Sequence, residues 1–168
     1  MAKVSVHLVV YNGAKYLPFC LPSLYEQSFQ DLSILIIDNH SHDASVEIIE
    51  EFLHDPKHPM RKSITRLIKN SKNTGFAGAH NQAIQWTASD YVFMMNQDVI
   101  LDTEYIRVCV SYMDSKPDVA ATTGILHKWN FAEISLTHLG KTDTIDSQGL
   151  KIFKNHKITN KSLIWNED

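Results

Sequence analysis

Three stretches rich in apolar and β-branched residues, each followed at once by polar residues, constrain the fold of this chain more than any other feature of its sequence. This composition is typical of strands buried on both faces of a parallel sheet. The stretches and their polar ends are Val4–Val10 with Tyr11-Asn12, Leu32–Ile37 with Asp38-Asn39, and Tyr91–Met95 with Asn96-Gln97-Asp98. Segments with helical spacing lie between them, and this alternation predicts an α/β fold with a mainly parallel central sheet flanked by helices.

The spacing of apolar residues also predicts the connecting elements. Leu17, Leu21 and Leu24 form one helical stripe, but Pro18 and Pro22 predict a late start or a kink, because a proline removes a helical hydrogen bond. The further predicted elements are a helix capped within residues 41–45, a strand at 64–68, and helices at 76–86 and 102–115. A strand is predicted at 119–123, and only short strands at 125–126, 144–145 and 150–153.

Composition and length limit the classes of protein to which the chain can belong. A length of 168 residues predicts one domain, and we expect residues 1–125 to form its main part and residues 126–168 to continue it less regularly. The net charge of −3, with no basic stripe, predicts no nucleic-acid partner. The apolar stretches are shorter than the roughly 20 residues that span a bilayer, and the two cysteines lack metal-ligand spacing, so a cytoplasmic protein is expected.

The polar ends of the three strands form the candidate site, because parallel strands place their carboxyl ends at one edge, where open α/β sheets bind ligands. Asp98 can alternatively cap a helix, but residues 102–104 already supply a cap, which favours a ligand or metal role for Asp98. Asp38 can accept hydrogen bonds from a nucleobase or ribose, and Asp98 can bind a hard cation through its oxygens. One nucleoside diphosphate would satisfy both carboxylates.

A segment with small residues, Asn73–Asn81, precedes or opens a predicted helix. Gly75 and Gly78 allow a close backbone approach to a ligand, although ordinary helix capping and close packing explain such glycines equally well. The spacing is not GxGxxG, so the dinucleotide-binding fingerprint is absent. His40 and His42 are the closest histidine pair, and without a third ligand nearby they do not predict a zinc site.

Taken in order, these motifs resemble the nucleotide-sugar-binding part of family 2 glycosyltransferases, which have the GT-A fold. The resemblance rests on residues 6–13, on Ile36-Ile37-Asp38-Asn39 with Ser41 and Asp43, on Asn73-x-Gly75-Phe76-Ala77-Gly78-x-x-Asn81, and on Asn96-Gln97-Asp98. It covers about residues 3–125, and residues 144–149 look like the following segment of rhamnosyltransferase-like members. Asn96-Gln97-Asp98 takes the place of the family's DxD motif, and Asn96 keeps an oxygen acceptor there but lacks a charge.

The resemblance implies a metal-assisted, inverting transfer of a sugar from a nucleotide diphosphate-sugar donor to a glycan or lipid-linked acceptor, as part of cell-surface polysaccharide biosynthesis. It implies Mg²⁺ or Mn²⁺ at Asp98 and possible peripheral association with the inner face of the membrane. The residues implied to bind the nucleotide sugar are Val10, Tyr11, Asn12, Asp38, Asn39, Asn73, Gly75, Phe76, Asn81 and Asn96.

The catalytic base that inverting members need is not identified in this sequence. In the family it lies downstream in an acceptor-binding region, and we do not assign the role to the terminal pair Glu167-Asp168. Two interpretations remain open. The chain is either a glycosyltransferase whose donor site is present and whose acceptor side is incomplete, or a non-catalytic nucleotide-binding or interaction module with the same fold.

Overall fold

The computed structural model describes residues 1–55, 65–135, 138–152 and 158–160. Their elements are, in chain order, β1 (Val4–Val10), α1 (Leu17–Tyr25), β2 (Leu32–Asp38), α2 (Ser45–His54), β3 (Thr65–Lys69), α3 (Gly75–Trp86), β4 (Tyr91–Asn96), α4 (Tyr105–Ser115), β5 (Leu126–Ser135), β6 (His138–Ser147), β7 (Leu150–Ile152) and β8 (Ile158–Asn160). The chain forms two compact units, residues 1–107 and 108–168. The expected boundary at residue 125 lies inside the second unit.

The first unit is built on a four-stranded sheet in the order β3-β2-β1-β4. Every neighbouring pair is parallel, and the register places Val10 beside Asp38 and Val9 beside Asn96. The strands β1, β2 and β4 therefore end at the same edge of the sheet. This confirms the predicted α/β class and the predicted grouping of the three polar strand ends.

The core of this unit lies on both faces of the sheet, and all seven residues of β1 are buried. On one face, Val9, Leu35 and Ile37 pack against the small side chains Ala79 and Ala83 of α3. On α1 and α2, the rings of Tyr25 and Phe52 meet edge to face with centroids 4.8 Å apart. Burial of each large apolar side chain contributes about 1.5–3 kcal/mol to folding, and the two alanines let α3 lie close to the strands.

Helix α1 begins at Leu17, so the late start, one of the two expected outcomes, is not observed. Pro18 lies in the first turn, where its missing N–H has no helical partner to lose. Pro22 lies inside the helix, where a proline normally weakens the structure. The helix is retained because Leu17, Cys20, Leu21 and Leu24 are fully buried.

The segment that follows β4 is held by two buried side chains of α1 and its C-terminal end. Ser23 Oγ accepts the N–H of Leu101 at 3.1 Å. Gln27 Nε2 donates to the carbonyl oxygen of Asp102 at 2.7 Å, and its Oε1 accepts the N–H of Ile106 at 3.0 Å. Asp102 in turn accepts the N–H of Glu104 at 2.9 Å, so the expected cap at the start of α4 is present.

In the second unit, residues 119–123 form no strand, and the prediction of a strand there is wrong. Strand propensity alone is a weak determinant, since a strand is stabilised by the neighbour with which it pairs. Of the predicted short strands, Leu126 and residues 144–145 belong to a longer antiparallel pair, β5 with β6, whose register shifts three times, while Ile125 lies just before β5. A second antiparallel pair joins β7 to β8, and Phe153 of the predicted strand lies outside the described residues. No helix in the described ranges is long and apolar enough to cross a bilayer.

The connection between β3 and α3 is organised around the buried side chain of Asn39. Its Oδ1 accepts the N–H of Thr74 at 3.0 Å and the amide of Asn70 at 3.2 Å. Its Nδ2 donates to Asn73 Oδ1 at 2.8 Å and to the carbonyl oxygen of Gly75 at 3.3 Å. One amide thus joins the end of β2 to the start of α3.

Replacement of Asn39 by Ala should lower the free energy of unfolding by about 2–4 kcal/mol, because several hydrogen bonds of about 0.5–1.5 kcal/mol each are lost together. Urea unfolding of the two proteins measures the difference. The matched control is Asn81→Ala. Asn81 is exposed on α3, and its replacement should change the free energy of unfolding by less than about 0.5 kcal/mol. Equal effects of the two substitutions would contradict the role assigned to Asn39.

Two histidines are buried, His7 in β1 and His80 in α3. The hydroxyl of Thr87 donates to the carbonyl oxygen of Ala83, so His7 Nε2 must carry the proton in its 2.9 Å bond to Thr87 Oγ1. Within the described residues, His7 Nδ1 and both ring nitrogens of His80 have no hydrogen-bond partner. Burial, and then the proximity of His80, lowers the pKa of His7 to about 4. Burial also lowers the pKa of His80.

The stability of the chain should therefore depend on pH below neutrality. Because the folded pKa of His7 lies below the unfolded value of 6.5, its contribution is complete above pH 6.5 and is lost as the pH falls toward about 4. The free energy of unfolding should fall by up to about 1.4 kcal/mol per pH unit for this residue.

Urea unfolding between pH 4.5 and 8 measures this slope. His7→Gln should reduce the slope by the amount that corresponds to the binding of about one proton on unfolding. The exposed control His42→Gln should leave the slope nearly unchanged. A stability that does not change between pH 7 and 4.5 would show that the two buried rings do not control it.

Candidate functional site

The loop that follows β1 is held by side chains from the segment after β4 and from the loop between β2 and α2, including the first residue of α2. Four successive main-chain N–H groups, which have no partner in the sheet, each donate a hydrogen bond to a side-chain oxygen. The four bonds are Tyr11 N–H to Gln97 Oε1 at 2.9 Å, Asn12 N–H to Ser41 Oγ at 3.0 Å, Gly13 N–H to Ser45 Oγ at 2.7 Å and Ala14 N–H to Asp43 Oδ2 at 3.0 Å. The ends of β1, β2 and β4 are thereby fixed to one another.

The contact between the β1 and β2 loops is reciprocal. The side chain of Asn12 accepts the N–H of His42 at 2.8 Å, while Asn12 and His40 both have positive φ values, of 51° and 71°. Non-glycine residues rarely adopt this conformation, and Asn does so more readily than most. The ring centroids of His40 and His42 are 4.6 Å apart. No group of three or more metal-ligating His, Cys, Asp or Glu side chains occurs in the described ranges.

Asp43 is the anionic member of this loop. Burial acts to raise its pKa, but hydrogen bonds from the Ser45 hydroxyl and from the N–H groups of Ala14 and Ser45 outweigh burial, and the net pKa is lowered. Asp43 therefore stays ionised at neutral pH and is engaged in holding the loop, with both carboxylate oxygens bonded within the protein.

Asp38, at the end of β2, differs from Asp43 in that only one of its carboxylate oxygens has a hydrogen-bond partner among the described residues. It is 3% exposed, and its Oδ2 accepts the N–H of Ser41 at 3.3 Å. Its Oδ1 has no hydrogen-bond partner in the part of the chain that the structure describes. A buried carboxylate oxygen without a partner is costly, and such atoms in native proteins call for a ligand, a water or another explanation.

Asn96 and Asp98, at the end of β4, are both exposed. Within the described ranges, no hydrogen bond or ion pair engages the Asp98 carboxylate. Beneath them, burial and then the negative charge of Asp98 raise the pKa of Cys20 to about 12, so this thiol stays neutral. Two oxygen-bearing side chains suit a hard cation such as Mg²⁺ or Mn²⁺ that takes its remaining ligands from water and a phosphate.

The segment at the start of α3 supplies the remaining predicted residues. Asn73 Oδ1 accepts from Asn39 and from the N–H of Gly75 at 2.8 Å, so both asparagines are engaged within the protein. Gly75 has a φ of 74°, which favours glycine. Phe76 is 59% exposed and its ring lies edge to face with His80, and Asn81 is exposed. Phe76 and Asn81 are thus accessible to a ligand, whereas the contacts of Asn39 and Asn73 support a structural role.

Val10 is fully buried, and its carbonyl oxygen accepts the N–H of Asn39 at 2.7 Å. Tyr11 is 42% exposed at the same edge. Sequence reasoning placed Gln97 among the polar residues after β4 and Ser45 in the helix-capping segment, but it did not predict that these two side chains bind the loop after β1. Neither residue has a spacing or a composition signal, because their partners lie 86 and 32 residues away.

Several curated relatives are similar to this chain. Chondroitin synthase of Escherichia coli is 29% identical over 107 residues, which cover 64% of this chain and 15% of the relative. Glycosyltransferase GlyG of Streptococcus pneumoniae is 26% identical over 113 residues, covering 67% of this chain and 36% of the relative. Teichoic acid poly(glycerol phosphate) polymerase of Staphylococcus epidermidis is 30% identical over 98 residues, covering 58% of this chain and 13% of the relative. The chain thus spans well under half of each of these proteins.

Solved structures show the same fold. TarS 1–349 of S. aureus in complex with UDP-GlcNAc superposes with a TM-score of 0.59 at 20% identity, over 76% of this chain and 34% of that one. The mannosyltransferase PcManGT of Pyrobaculum calidifontis, in complex with GDP-Man and Mn²⁺, superposes with a TM-score of 0.62 at 19% identity, over 77% of this chain and 36% of that one. These structures confirm the predicted GT-A fold. With the family model matching residues 5–165, the chain belongs to glycosyl transferase family 2.

Proposed function

We propose that this chain binds the donor in a sugar transfer from a nucleoside diphosphate-sugar to an acceptor hydroxyl, assisted by a divalent cation. One observation carries the proposal. Asp38 ends β2 and Asp98 follows β4, the two strands on either side of β1. Among the described residues, Asp38 Oδ1 is buried without a hydrogen-bond partner, and the Asp98 side chain is exposed at the same edge. Neighbouring strands are about 4.8 Å apart, so the two strand ends are separated by about 10 Å, a span that a nucleoside diphosphate can bridge.

In this proposal Asp38 receives the nucleoside. Its Oδ1 can accept a hydrogen bond from a nucleobase N–H or a ribose hydroxyl, which would give the buried atom the partner that it lacks. Because solvent does not reach Oδ1 in this conformation, the covering side chains must shift when the ligand enters. The exposed ring of Tyr11 and the main chain of Asn12 border the same place.

The diphosphate lies toward Asp98 and Asn96. A diphosphate and a carboxylate repel each other, so their close approach requires a cation between them. When bound, Mg²⁺ or Mn²⁺ offsets the negative charge that develops on the leaving nucleoside diphosphate. The mannosyltransferase of the same fold, which was solved in complex with GDP-Man and Mn²⁺, supports this assignment. The identity of the sugar, rhamnose included, stays a prediction.

The acceptor part of the proposal rests on the relatives. The names of chondroitin synthase and teichoic acid poly(glycerol phosphate) polymerase support a role in the synthesis of a polymer. A glycan or lipid-linked acceptor at the inner face of the membrane is our proposal. Transfer with inversion needs a carboxylate base that removes the acceptor proton. We assign this role to no residue of the chain.

Binding of the donor nucleotide is the first test. Calorimetric titration with thymidine, uridine and guanosine diphosphates should detect one that binds at least tenfold more tightly with Mn²⁺ than with chelator. Asp98→Ala should lose this gain, while Asp90→Asn, at the opposite end of β4, should keep it. Absence of binding by the wild-type chain would refute the proposal. Binding without transfer or hydrolysis of the matching nucleotide sugar would favour a non-catalytic binding module.

Asp38→Ala should weaken nucleotide binding roughly two- to tenfold, the value of one hydrogen bond. The same substitution should lower the free energy of unfolding by less than about 1 kcal/mol, because the carboxylate makes one long bond and leaves one oxygen unpaired. Calorimetry and urea unfolding measure the two effects. Asp31→Ala, at the opposite end of β2, is the control and should change neither. A large loss of stability with unchanged affinity would make Asp38 a structural residue.

A further inference from the structure

We propose that Gln97 is a positioning residue that keeps the nucleoside side of the site in register with the metal side. Gln97 Oε1 accepts the N–H of Tyr11 at 2.9 Å, and its Nε2 donates to the carbonyl oxygen of Tyr11 at 3.0 Å. The side-chain amide thus pairs with the main chain of Tyr11 as a neighbouring strand would. It adds one rung beyond the last paired residues of β1 and β4, Val9 and Asn96.

The location of this pair gives it a role in the proposed function, on which the inference rests. Gln97 lies between Asn96 and Asp98, the two side chains that suit a cation. Tyr11 begins the loop after β1, and Asn12 of this loop is bonded to Ser41, whose N–H donates to Asp38 at the end of β2. Through its two hydrogen bonds to Tyr11, the Gln97 side chain joins these two groups of residues in the described structure. A ligand that contacts both groups depends on their spacing, whereas a ligand that contacts one group does not.

Gly13 makes room for this contact. A Cβ added to Gly13 would lie 2.3 Å from Gln97 Oε1 and 2.7 Å from its Cδ, far inside van der Waals contact. Since no positive φ is found at Gly13, the glycine is needed for space and not for its backbone conformation. The atoms in the way are the far end of a flexible side chain, so Gly13→Ala should displace the Gln97 amide without unfolding the sheet.

Two different substitutions therefore remove the same contact, and the experiment compares them. Isothermal titration with uridine, thymidine and guanosine diphosphates, each with Mn²⁺ and with chelator, gives the factor by which the metal tightens binding. Gln97→Ala and Gly13→Ala should each reduce this factor at least threefold, with a smaller change in affinity under chelator. The double variant should be no worse than either single variant. Gln85→Ala, an exposed glutamine of α3, is the control and should keep the wild-type factor.

Gln97→Glu is a further variant of the same size. It keeps the acceptor for the Tyr11 N–H but places an oxygen opposite the Tyr11 carbonyl oxygen, so it should also reduce the metal factor. Amide hydrogen exchange without ligand tests the contact itself, and the Tyr11 amide should exchange faster in Gln97→Ala and Gly13→Ala, which lose its acceptor, than in Gln97→Glu, which keeps it.

The outcomes separate this inference from the proposed function. If the wild-type chain binds no nucleotide, the proposed function fails, and the role of Gln97 fails with it. If the wild-type chain binds with metal enhancement but the Gln97 and Gly13 variants lose affinity equally with and without Mn²⁺, or lose none, only the inference is overturned. Additive losses in the double variant, or unchanged exchange of the Tyr11 amide, would overturn it as well.

Discussion

The site depends on the four main-chain N–H groups that follow the end of β1. A loop at the end of a buried strand cannot use the sheet for these donors, and leaving them unpaired without water would be costly. Side chains from the ends of β2 and β4 accept all four. Because the parallel sheet brings these strand ends to one edge, the same fold that creates the unpaired donors also supplies their partners.

In this arrangement, the residues that stabilise the loops are different from the residues that remain available to a ligand. Asp43, Ser41 and Ser45 are engaged in the loop, and Asn39 is engaged in the connection to α3. Among the described residues, Asp38 Oδ1 is buried without a hydrogen-bond partner, and the Asp98 carboxylate is exposed and engaged in no contact that holds the loop. These two carboxylates therefore mark the part of this edge that the fold itself does not use. The nucleoside and the metal-bound diphosphate of the proposed function are the ligands that we assign to them.

Much of the fold could be predicted from the sequence, because burial on both faces leaves a continuous apolar run such as residues 34–37, and polar residues end it. The prediction that residues 91–95 are buried on both faces is wrong, because β4 is an edge strand of the described sheet and Val92 and Met94 are exposed. The other expectations that failed concern interactions between distant residues. Pro22 is kept inside α1 by the burial of its neighbours, and residues 119–123 lack a strand partner despite a β-branched composition. The pairing of Gln97 with Tyr11 joins residues 86 positions apart. No periodicity encodes which glutamine reaches which main-chain group, so such contacts require the structure.

The most direct test of the central claim locates the ligand on the molecule. A backbone amide NMR titration with nucleoside diphosphate and Mg²⁺, repeated with Mn²⁺ for paramagnetic broadening, maps where the nucleoside and the metal bind. We expect shifts in residues 11–13 and 38–43, and the strongest broadening at residues 96–98, with the opposite edge at Asp31 and Asp90 unchanged. Shifts and broadening concentrated at that opposite edge, or absent throughout, would contradict the assignment of the strand ends as the donor site.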